Sequence, residues 1–360
     1  MRTSVLSTLS RRWVMASKAY LFDRMEHSIA SSPSRSCSMP LNGARGFAAS
    51  ALVLVVLVSC YPQQPRSTPT PSPTIGTDDK RISVKSELVN ILVSVTNRDG
   101  QNVSGLKKED FLVTDNGIPQ ELSFFSDEDA PVSIGIIFDR SGSMEGKKIV
   151  AARLALEKFV QTSHPEDEYF LIAFNERSKL LLDHSLHGED VIKQLERAEP
   201  GGNTSLFDAV YLGIERVQEG VYKRKALVII SDGQDNSSRY HLKEVIRSEQ
   251  ESGVTVYAVG ILDGMFFRER RSSQYELDDL TGSTGGRAFY PTENEEMDGI
   301  FEQIANELRH MYSIGYTPMD LRTDGSWHKL TVRVRNSRDA FHLKIRTRSG
   351  YFAAPGNLAR

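Results

Sequence analysis

The sequence predicts an α/β fold with a mainly parallel sheet, flanked on both sides by shorter β-segments. Strand-like and helix-like patterns alternate from residue 132 to about residue 311, as expected when crossover helices join parallel strands. Two segments in this region, 132–138 and 227–230, are continuous apolar runs typical of strands buried on both faces. Both runs end abruptly in polar residues, and in such sheets ligands bind outside the carboxyl ends of the strands.

The first β-segment, 81–130, alternates apolar and polar residues, and Asp115-Asn116-Gly117 predicts a hairpin turn. Alternation returns in 327–335 and 341–348. Each flank has too few strands to bury a core alone. We therefore expect the two flanks to pair as one small β-sandwich into which the α/β domain is inserted.

The region between the flanks contains the strands and helices of the α/β domain. One strand, 178–182, is expected to pair antiparallel with its neighbour, and another, 287–290, to lie at an edge. After the strand at 132–138, the expected elements are helix 148–160, strands 169–174 and 178–182, helices 190–197 and 206–217, strand 225–231, helix 241–252, strand 254–260, helix 277–281, strand 287–290 and helix 293–310.

Residues 1–59 are predicted to be a signal or targeting region. The apolar run at 47–58 follows Arg45 and is shorter than the roughly 20 residues that a membrane-spanning helix needs. Leu57-Val58-Ser59-Cys60 resembles a bacterial lipoprotein box, which implies that Cys60 becomes the lipidated first residue of an envelope-anchored chain. An ordinary signal peptide, or an uncleaved anchor with a coincidental cysteine, is the alternative.

Residues 1–38 have no apolar periodicity, and translation from Met39 would give a signal of ordinary length, so we hypothesise that 1–38 are not translated. Without residues 1–59, the chain keeps 37 basic and 45 acidic side chains, and its formal net charge changes from −3 to −8. An acidic chain argues against nucleic acid as a partner and suits divalent cations.

The chain has only two cysteines, Cys37 and Cys60, both before the folded region, so no disulfide framework is expected.

The regions that follow from these patterns differ in composition. They are the targeting region 1–59, a Pro/Ser/Thr-rich tether at 60–80, a first half of the β-domain at 81–130, the α/β domain at 131–312, a second half of the β-domain at 313–353 and a tail at 354–360.

Five residues with carboxylate or hydroxyl side chains lie in three loops, two of which directly follow buried strands. Asp139, Ser141 and Ser143 alternate after the first strand, Thr204 follows a Gly-Gly-Asn segment, and Asp232 comes directly after the strand at 225–231. Carboxylate and hydroxyl oxygens are ligands for hard divalent cations such as Mg²⁺. Asp-x-Ser-x-Ser alone is also common in turns with helix-capping hydroxyls.

The five positions together resemble the von Willebrand factor type A (VWA) family. Its metal-ion-dependent adhesion site (MIDAS) uses Asp-x-Ser-x-Ser, a Thr and an Asp in this order. The resemblance implies a Rossmann-like, doubly wound, mainly parallel sheet with one antiparallel edge strand. It also implies that these five residues bind Mg²⁺, with Mn²⁺ or Ca²⁺ as alternatives, and that a partner protein supplies an Asp or Glu carboxylate to the metal.

The two β-flanks resemble a more specific group within this family. Residues 96–111 (TNRDGQNVSGLKKEDF), 327–334 (WHKLTVRV) and 346–351 (RTRSGY) are similar to the bacterial VWFA-related acidobacterial-type domain over about residues 81–353. The function of this domain family is poorly defined, so the resemblance implies the fold and the metal site more than a biochemical function.

The resulting hypothesis is an extracytoplasmic, membrane-anchored lipoprotein that binds a protein partner in adhesion or scaffolding and is not an enzyme. The alternative is a non-catalytic accessory subunit of an envelope enzyme complex, or a hydrolase. No histidine lies in the motif loops to activate a serine, and the segment around Ser231 lacks a nucleophile-elbow pattern.

Segment 282–286 is expected to be a turn, because it lacks the Lys-Ser/Thr of a phosphate loop. Phe266 and Phe267 are expected in a helix turn packed on the body, or in a partner-contacting wedge.

Overall fold

The computed structural model describes residues 88–196, 199–319, 324–335 and 343–353. The predicted targeting region with Cys60, the tether and the tail lie outside the described residues. Within the described part, no helix combines the length and apolar character needed to cross a membrane.

The secondary structure follows the expected alternation closely. The strands are β1 (Val89–Thr96), β2 (Phe111–Asp115), β3 (Ile118–Gln120), β4 (Leu122–Ser126), β5 (Val132–Asp139), β6 (Glu168–Phe174), β7 (Ser178–Ser185), β8 (Arg224–Ser231), β9 (Thr255–Gly260), β10 (Ala288–Phe289), β11 (Tyr312–Tyr316), β12 (Trp327–Val334), β13 (Lys344–Arg346) and β14 (Gly350–Phe352). The helices are α1 (Lys147–Thr162), α2 (Gly188–Leu195), α3 (Leu206–Glu219), α4 (Leu242–Ser252), α5 (Phe267–Gly282) and α6 (Asn294–Arg309).

A six-stranded sheet in the order β10-β9-β8-β5-β6-β7 forms the centre of the α/β domain. Its pairs are parallel except β6–β7, which is antiparallel, so the predicted antiparallel edge strand is confirmed. Helices α1, α2 and α6 pack on one face, and α3, α4 and α5 pack on the other. Strand β5 is buried along its whole length because helices cover both of its faces.

Two four-stranded sheets form the β-sandwich, and each mixes strands from both flanks, as predicted. Their orders are β13-β1-β11-β4 and β14-β12-β2-β3, and one apolar cluster fills the space between them. The hairpin between β2 and β3 turns at Asn116 and Gly117, whose φ angles of 49° and 83° match a turn that needs two left-handed residues.

The chain enters and leaves the α/β domain through neighbouring strands, β4 and β11. Arg224 links the two connections, because its Nη2 donates to the carbonyl oxygens of Glu128 (2.9 Å) and Met311 (3.2 Å). Arg309 also pairs with Asp129, at 2.5 Å from Nη2 to Oδ2. The two ends of the inserted domain are thus held side by side.

A buried ion cluster joins α6 to the sandwich. Glu307 is 1 % exposed and accepts hydrogen bonds from the guanidinium groups of Arg287 and Arg346, the latter at 2.8 Å. Arg346 lies on β13 and also contacts the hydroxyls of Ser94 (3.1 Å) and Thr96 (3.4 Å) on β1. The charge of Glu307 in the α/β domain is therefore neutralised partly by Arg346 of the sandwich.

Three expectations for single elements were wrong in part. The helix expected at 277–281 is α5, which begins at Phe267, and Phe266 and Phe267 are each 80 % exposed instead of packed on the body. Only the carboxyl half of α5 buries apolar side chains, so its amino half carries no helical periodicity. Of the strand expected at 341–348, residues 341 and 342 lie outside the described part, and the strand β13 covers only Lys344–Arg346; β13 pairs with β1, whereas β14 pairs with β12 in the other sheet.

Candidate metal centre

Asp139 ends β5 and is completely buried. Its Oδ1 accepts a hydrogen bond from the backbone N–H of Ser141 (2.7 Å), and its Oδ2 accepts one from the hydroxyl of Ser231 (2.5 Å). The hydroxyls of Ser141 and Ser143 lie 3.1 Å apart, with Ser141 buried and Ser143 exposed. The Asp-x-Ser-x-Ser side chains thus gather at the carboxyl end of the central strand.

The electrostatic environment of Asp139 disfavours its ionised form. Burial raises the pKa of this carboxyl to about 6, and the negative charge of Asp232 contributes in the same direction. Hydrogen bonds from Ser141 and Ser231 oppose the rise. Both carboxylates therefore belong to one local site, where a cation would relieve their repulsion.

The loop that carries Thr204 is bonded directly to the Asp139 loop. The N–H of Gly142 donates to the carbonyl of Gly202 (3.0 Å), and the N–H of Gly201 donates to the carbonyl of Arg140 (2.8 Å). Gly202 has a φ of 85°, and an added Cβ would lie 3.3 Å from side-chain atoms of Asn175 and Glu176. Glycine at 202 therefore suits both the left-handed backbone and the close contact with Asn175 and Glu176.

Thr204 is in turn bonded to the loop that follows β8. Its carbonyl accepts hydrogen bonds from the N–H groups of Asn236 and Ser237, both at 3.0 Å, and its own N–H donates to the Asn236 side chain at 3.0 Å. Thr204 is 3 % exposed. The Thr204 loop is thus hydrogen-bonded to both of the other loops, while Ser231 and Asp139 join the strand ends that precede them.

Asp232, the residue after β8, has the most unusual environment. It is completely buried, and neither of its carboxylate oxygens has a hydrogen-bond partner among the described residues. A buried carboxylate without partners costs much free energy unless an ion or water satisfies it. The residues therefore fit a divalent cation, since two carboxylates and three hydroxyls supply oxygen ligands. The described part contains no group of three His, Cys, Asp or Glu residues able to hold a metal, so hydroxyls would have to complete a site here.

Comparison with known proteins assigns the fold around these loops. The family model of the von Willebrand factor type A domain matches residues 133–303. The chain contains a VWA domain. The match spans β5 to α6 and so includes all five candidate ligands.

Individual relatives of this VWA protein are distant. The Synechocystis sp. protein sll0103, described as uncharacterized, is 24 % identical over 198 residues, and the match covers 53 % of this chain and 44 % of that protein. The von Willebrand factor type A structure from Catenulispora acidiphila is 16 % identical, with a TM-score of 0.44 and coverage of 63 % of this chain and 51 % of its own. The PilB minor pilin from Streptococcus sanguinis is 15 % identical, with a TM-score of 0.42 and coverage of 51 % and 63 %.

Three further residues of the VWA domain position the candidate ligands or their loops, and the sequence analysis did not assign them to the site. Ser231 binds Asp139, Asn236 binds the backbone of Thr204, and Asn175 donates to the carbonyl of Gly201 at 2.8 Å. Asn175 directly follows β6 and Ser231 ends β8. The rule that selected Asp139, a polar residue at the carboxyl end of a buried strand, would also have selected these two.

An exposed aromatic and basic segment begins beside the same edge of the VWA sheet. The N–H of Ile261, just after β9, donates to the carbonyl of Ser231 at 3.0 Å, so the loop leading into α5 starts next to Asp232. The exposed Phe266 ends this loop and the exposed Phe267 begins α5, where Arg268 and Arg271 are exposed as well. Apolar and cationic surface therefore occur together near the candidate metal centre.

Proposed function

We propose that the VWA domain binds a divalent cation, Mg²⁺ in the first instance, and through it a partner protein. The observation that carries the proposal is the pair of buried Asp232 oxygens without hydrogen-bond partners among the described residues, where the Thr204 loop is bonded to both neighbouring loops. VWA domains often bind a divalent metal and commonly mediate protein–protein interactions. Mn²⁺ and Ca²⁺ suit the same oxygen ligands.

The proposed ligands are Asp139, Ser141, Ser143, Thr204 and Asp232. The two carboxylates balance the charge of the cation, while the neutral hydroxyls leave it electron-poor. When bound, the cation supplies a coordination position for an Asp or Glu carboxylate of the partner. Ser231 and Asn236 orient Asp139 and Thr204 and would not touch the ion.

The partner in this proposal is an acidic protein segment. Its carboxylate would face the metal, and the exposed Phe266 and Phe267 with Arg268 and Arg271 would add apolar and charge-complementary contacts beside it. Such a role is non-catalytic and corresponds to adhesion or scaffolding, or to recruitment within an envelope enzyme complex.

The location proposed for this activity is outside the cytoplasm. Cys60 would carry the lipid anchor, and the tether at 60–80 would hold the folded part away from the membrane. Support comes from the lipoprotein-like tetrapeptide and the Pro-rich composition that follows it. Incorporation of a labelled fatty acid into the wild-type protein, with loss in Cys60→Ala, tests this part.

The metal proposal is tested by titration calorimetry with Mg²⁺ on the purified protein. Wild type should bind, whereas Asp232→Asn should lose detectable binding and keep its thermal stability in EDTA. Asp183→Asn, which changes an exposed carboxylate on β7, is the matched control and should bind as wild type does. Undiminished Mg²⁺ affinity in Asp232→Asn would refute the assignment.

The partner proposal is tested by capture from envelope extract. Wild-type bait should retain proteins in Mg²⁺ that are released by EDTA, and Asp232→Asn bait should fail to retain those same proteins. Retention that is indifferent to both EDTA and the substitution would contradict a metal-dependent interaction.

A further inference from the structure

A polar cavity lies at the amino edge of the central sheet, opposite the candidate metal centre. It has a volume of about 170 Å³ and opens between the start of β8, the start of β9 and strand β1 of the sandwich. Three cations contribute to its lining, Lys223, Lys225 and Arg348, together with the hydroxyl residues Ser252, Thr255 and Thr284. None of the described residues that line it is acidic, although the chain as a whole carries a net charge of −3.

Arg348 is a partly buried cation without an acidic partner among the described residues. Its Nη2 donates to the carbonyl of Asn90 at 2.8 Å, its guanidinium lies 5.5 Å from the centre of the Tyr351 ring, and its Nε is buried without any hydrogen-bond partner. Burial lowers the pKa of Arg348, and only tyrosines, Tyr316 and Tyr351, oppose this effect. A desolvated guanidinium is normally paired with an anion.

Lys225 strengthens the positive field but is not free to donate. Its Nζ donates to the carbonyl oxygens of Val217 (2.8 Å), Gln218 (2.8 Å) and Gly220 (3.0 Å) at the end of α3, which uses all three of its protons. The acid that acts on its pKa is Glu168, whose Oε2 already accepts hydrogen bonds from Ser133 and Val221. The charge of Lys225 therefore has no ion pair on the cavity side.

Lys223 differs from the other two cations because it is exposed at the cavity. A flexible ammonium group at the mouth and a fixed guanidinium on the wall are a common way to hold a tetrahedral oxyanion. A cleft lined by one sign of charge also concentrates counter-ions of the other sign.

We propose that this cavity binds a phosphate-type oxyanion, with Lys223 and Arg348 as donors and Lys225 as a fixed positive charge. The ligand is either free inorganic phosphate or the phosphoryl group of a larger molecule. The site joins the VWA domain to the sandwich, because Arg348 belongs to the sandwich flank while both lysines precede or begin β8. It is independent of the proposed metal centre, which lies at the other edge of the sheet.

The test is calorimetry and thermal unfolding of the purified protein in EDTA, with inorganic phosphate and glycerol phosphate titrated separately against chloride at equal ionic strength. We expect binding and a rise in unfolding temperature that grows with ligand concentration. Stronger binding of inorganic phosphate indicates a free ion, and stronger binding of glycerol phosphate indicates an attached phosphoryl group; both results support the oxyanion site. If neither ligand stabilises the protein more than chloride does, the proposal is overturned.

Variants decide whether the cavity is responsible. Lys223→Met should weaken binding at least about tenfold, since it removes one charge-assisted hydrogen bond. Lys243→Met removes the same charge at the opposite end of α4 from Ser252 and should bind as wild type does. Arg348→Lys, which keeps the charge but loses the planar fork, should weaken binding as well. Equal affinities for the Lys223 and Lys243 variants would overturn the proposal, and an unchanged affinity in Asp232→Asn would show that the two sites are separate.

Discussion

The hydroxyl of Ser231 donates a 2.5 Å hydrogen bond to Oδ2 of Asp139 and so joins the carboxyl ends of β8 and β5. The same hydroxyl accepts a hydrogen bond from the N–H of Gly233 at 3.0 Å. Ser231 therefore fixes the carboxylate that ends β5 and the chain turn that carries Asp232. Its effect on a bound cation would be indirect, through the position of these two acids.

Ser231→Ala should lower the affinity for Mg²⁺ about tenfold and the free energy of unfolding by about 1–3 kcal/mol, because Asp139 Oδ2 and the Gly233 N–H both lose a partner. Calorimetry and denaturant unfolding measure the two effects. Ser133→Ala is a matched control, since Ser133 donates a 2.6 Å hydrogen bond to Glu168 at the other end of β5. It should destabilise the protein similarly and leave Mg²⁺ affinity unchanged. Equal Mg²⁺ affinities in the two variants would exclude the positioning role of Ser231.

Thr204→Val should weaken Mg²⁺ binding about tenfold with little change in stability measured in EDTA. The substitution keeps the shape of the side chain and the backbone hydrogen bonds to Asn236 and Ser237, and removes only the hydroxyl. Thr204→Ser retains the hydroxyl and should restore most of the affinity. Tight binding by the valine variant would show that Thr204 is not a ligand.

Glu307→Gln should lower the free energy of unfolding by about 3–5 kcal/mol, because it leaves Arg287 and Arg346 without their carboxylate in a buried site. Glu302→Gln, on the same helix, is the control. Glu302 pairs with Lys158 at 3.4 Å on the surface, where both side chains are more than 40 % exposed (44 % and 45 %). Its loss should cost at most about 1 kcal/mol. Similar losses from both variants in urea unfolding would contradict a special role for the buried cluster.

Glu249→Gln should make the protein more stable than wild type at neutral pH and equally stable near pH 4. Glu249 is 1 % exposed, both of its carboxyl oxygens lack hydrogen-bond partners among the described residues, and burial raises its pKa well above the ordinary value of 4.5. A raised folded-state pKa means that the unfolded chain loses the proton first, so wild-type stability falls as pH rises above about 4.5.

Unfolding free energies of both proteins between pH 4 and pH 8 measure this difference. Asp139 and Asp167, whose pKa values burial raises to about 6, are present in both chains, so their contributions cancel. The control is Glu251→Gln on the same helix, where the carboxylate pairs with Arg247 at 3.0 Å on the surface. A pH-independent difference between wild type and Glu249→Gln would refute the prediction.

Most of the fold could be predicted from sequence because burial leaves a simple pattern there. Strand β5 is buried on both faces and reads as a continuous apolar run, and the Asn116-Gly117 hairpin needs residues that tolerate left-handed angles. The sandwich could be inferred because neither flank can bury a core without the other. Where a helix buries apolar side chains only in its carboxyl half, as α5 does, the amino half carries no periodicity, and the start of the helix was not predicted.

The candidate site was predictable in part for a similar reason. Asp139 and Asp232 stand at the ends of apolar runs, where their position along the chain already indicates the sheet edge. Asn236 could not be found in this way, since it contributes by capping the backbone of Thr204, 32 residues earlier. Contacts between loops distant in sequence depend on the register of the folded sheet, which no local pattern records.

The α/β unit is inserted between β4 and β11, which are neighbouring strands of one sandwich sheet. Arg224 spans both connections, and the Glu307–Arg346 pair adds a second contact between the α/β unit and the sandwich. Because the insert begins after β4 and ends before β11, its length is not constrained by the pairing of these two strands. The α/β unit can therefore change in sequence and length while the two sheets of the sandwich keep their strand order.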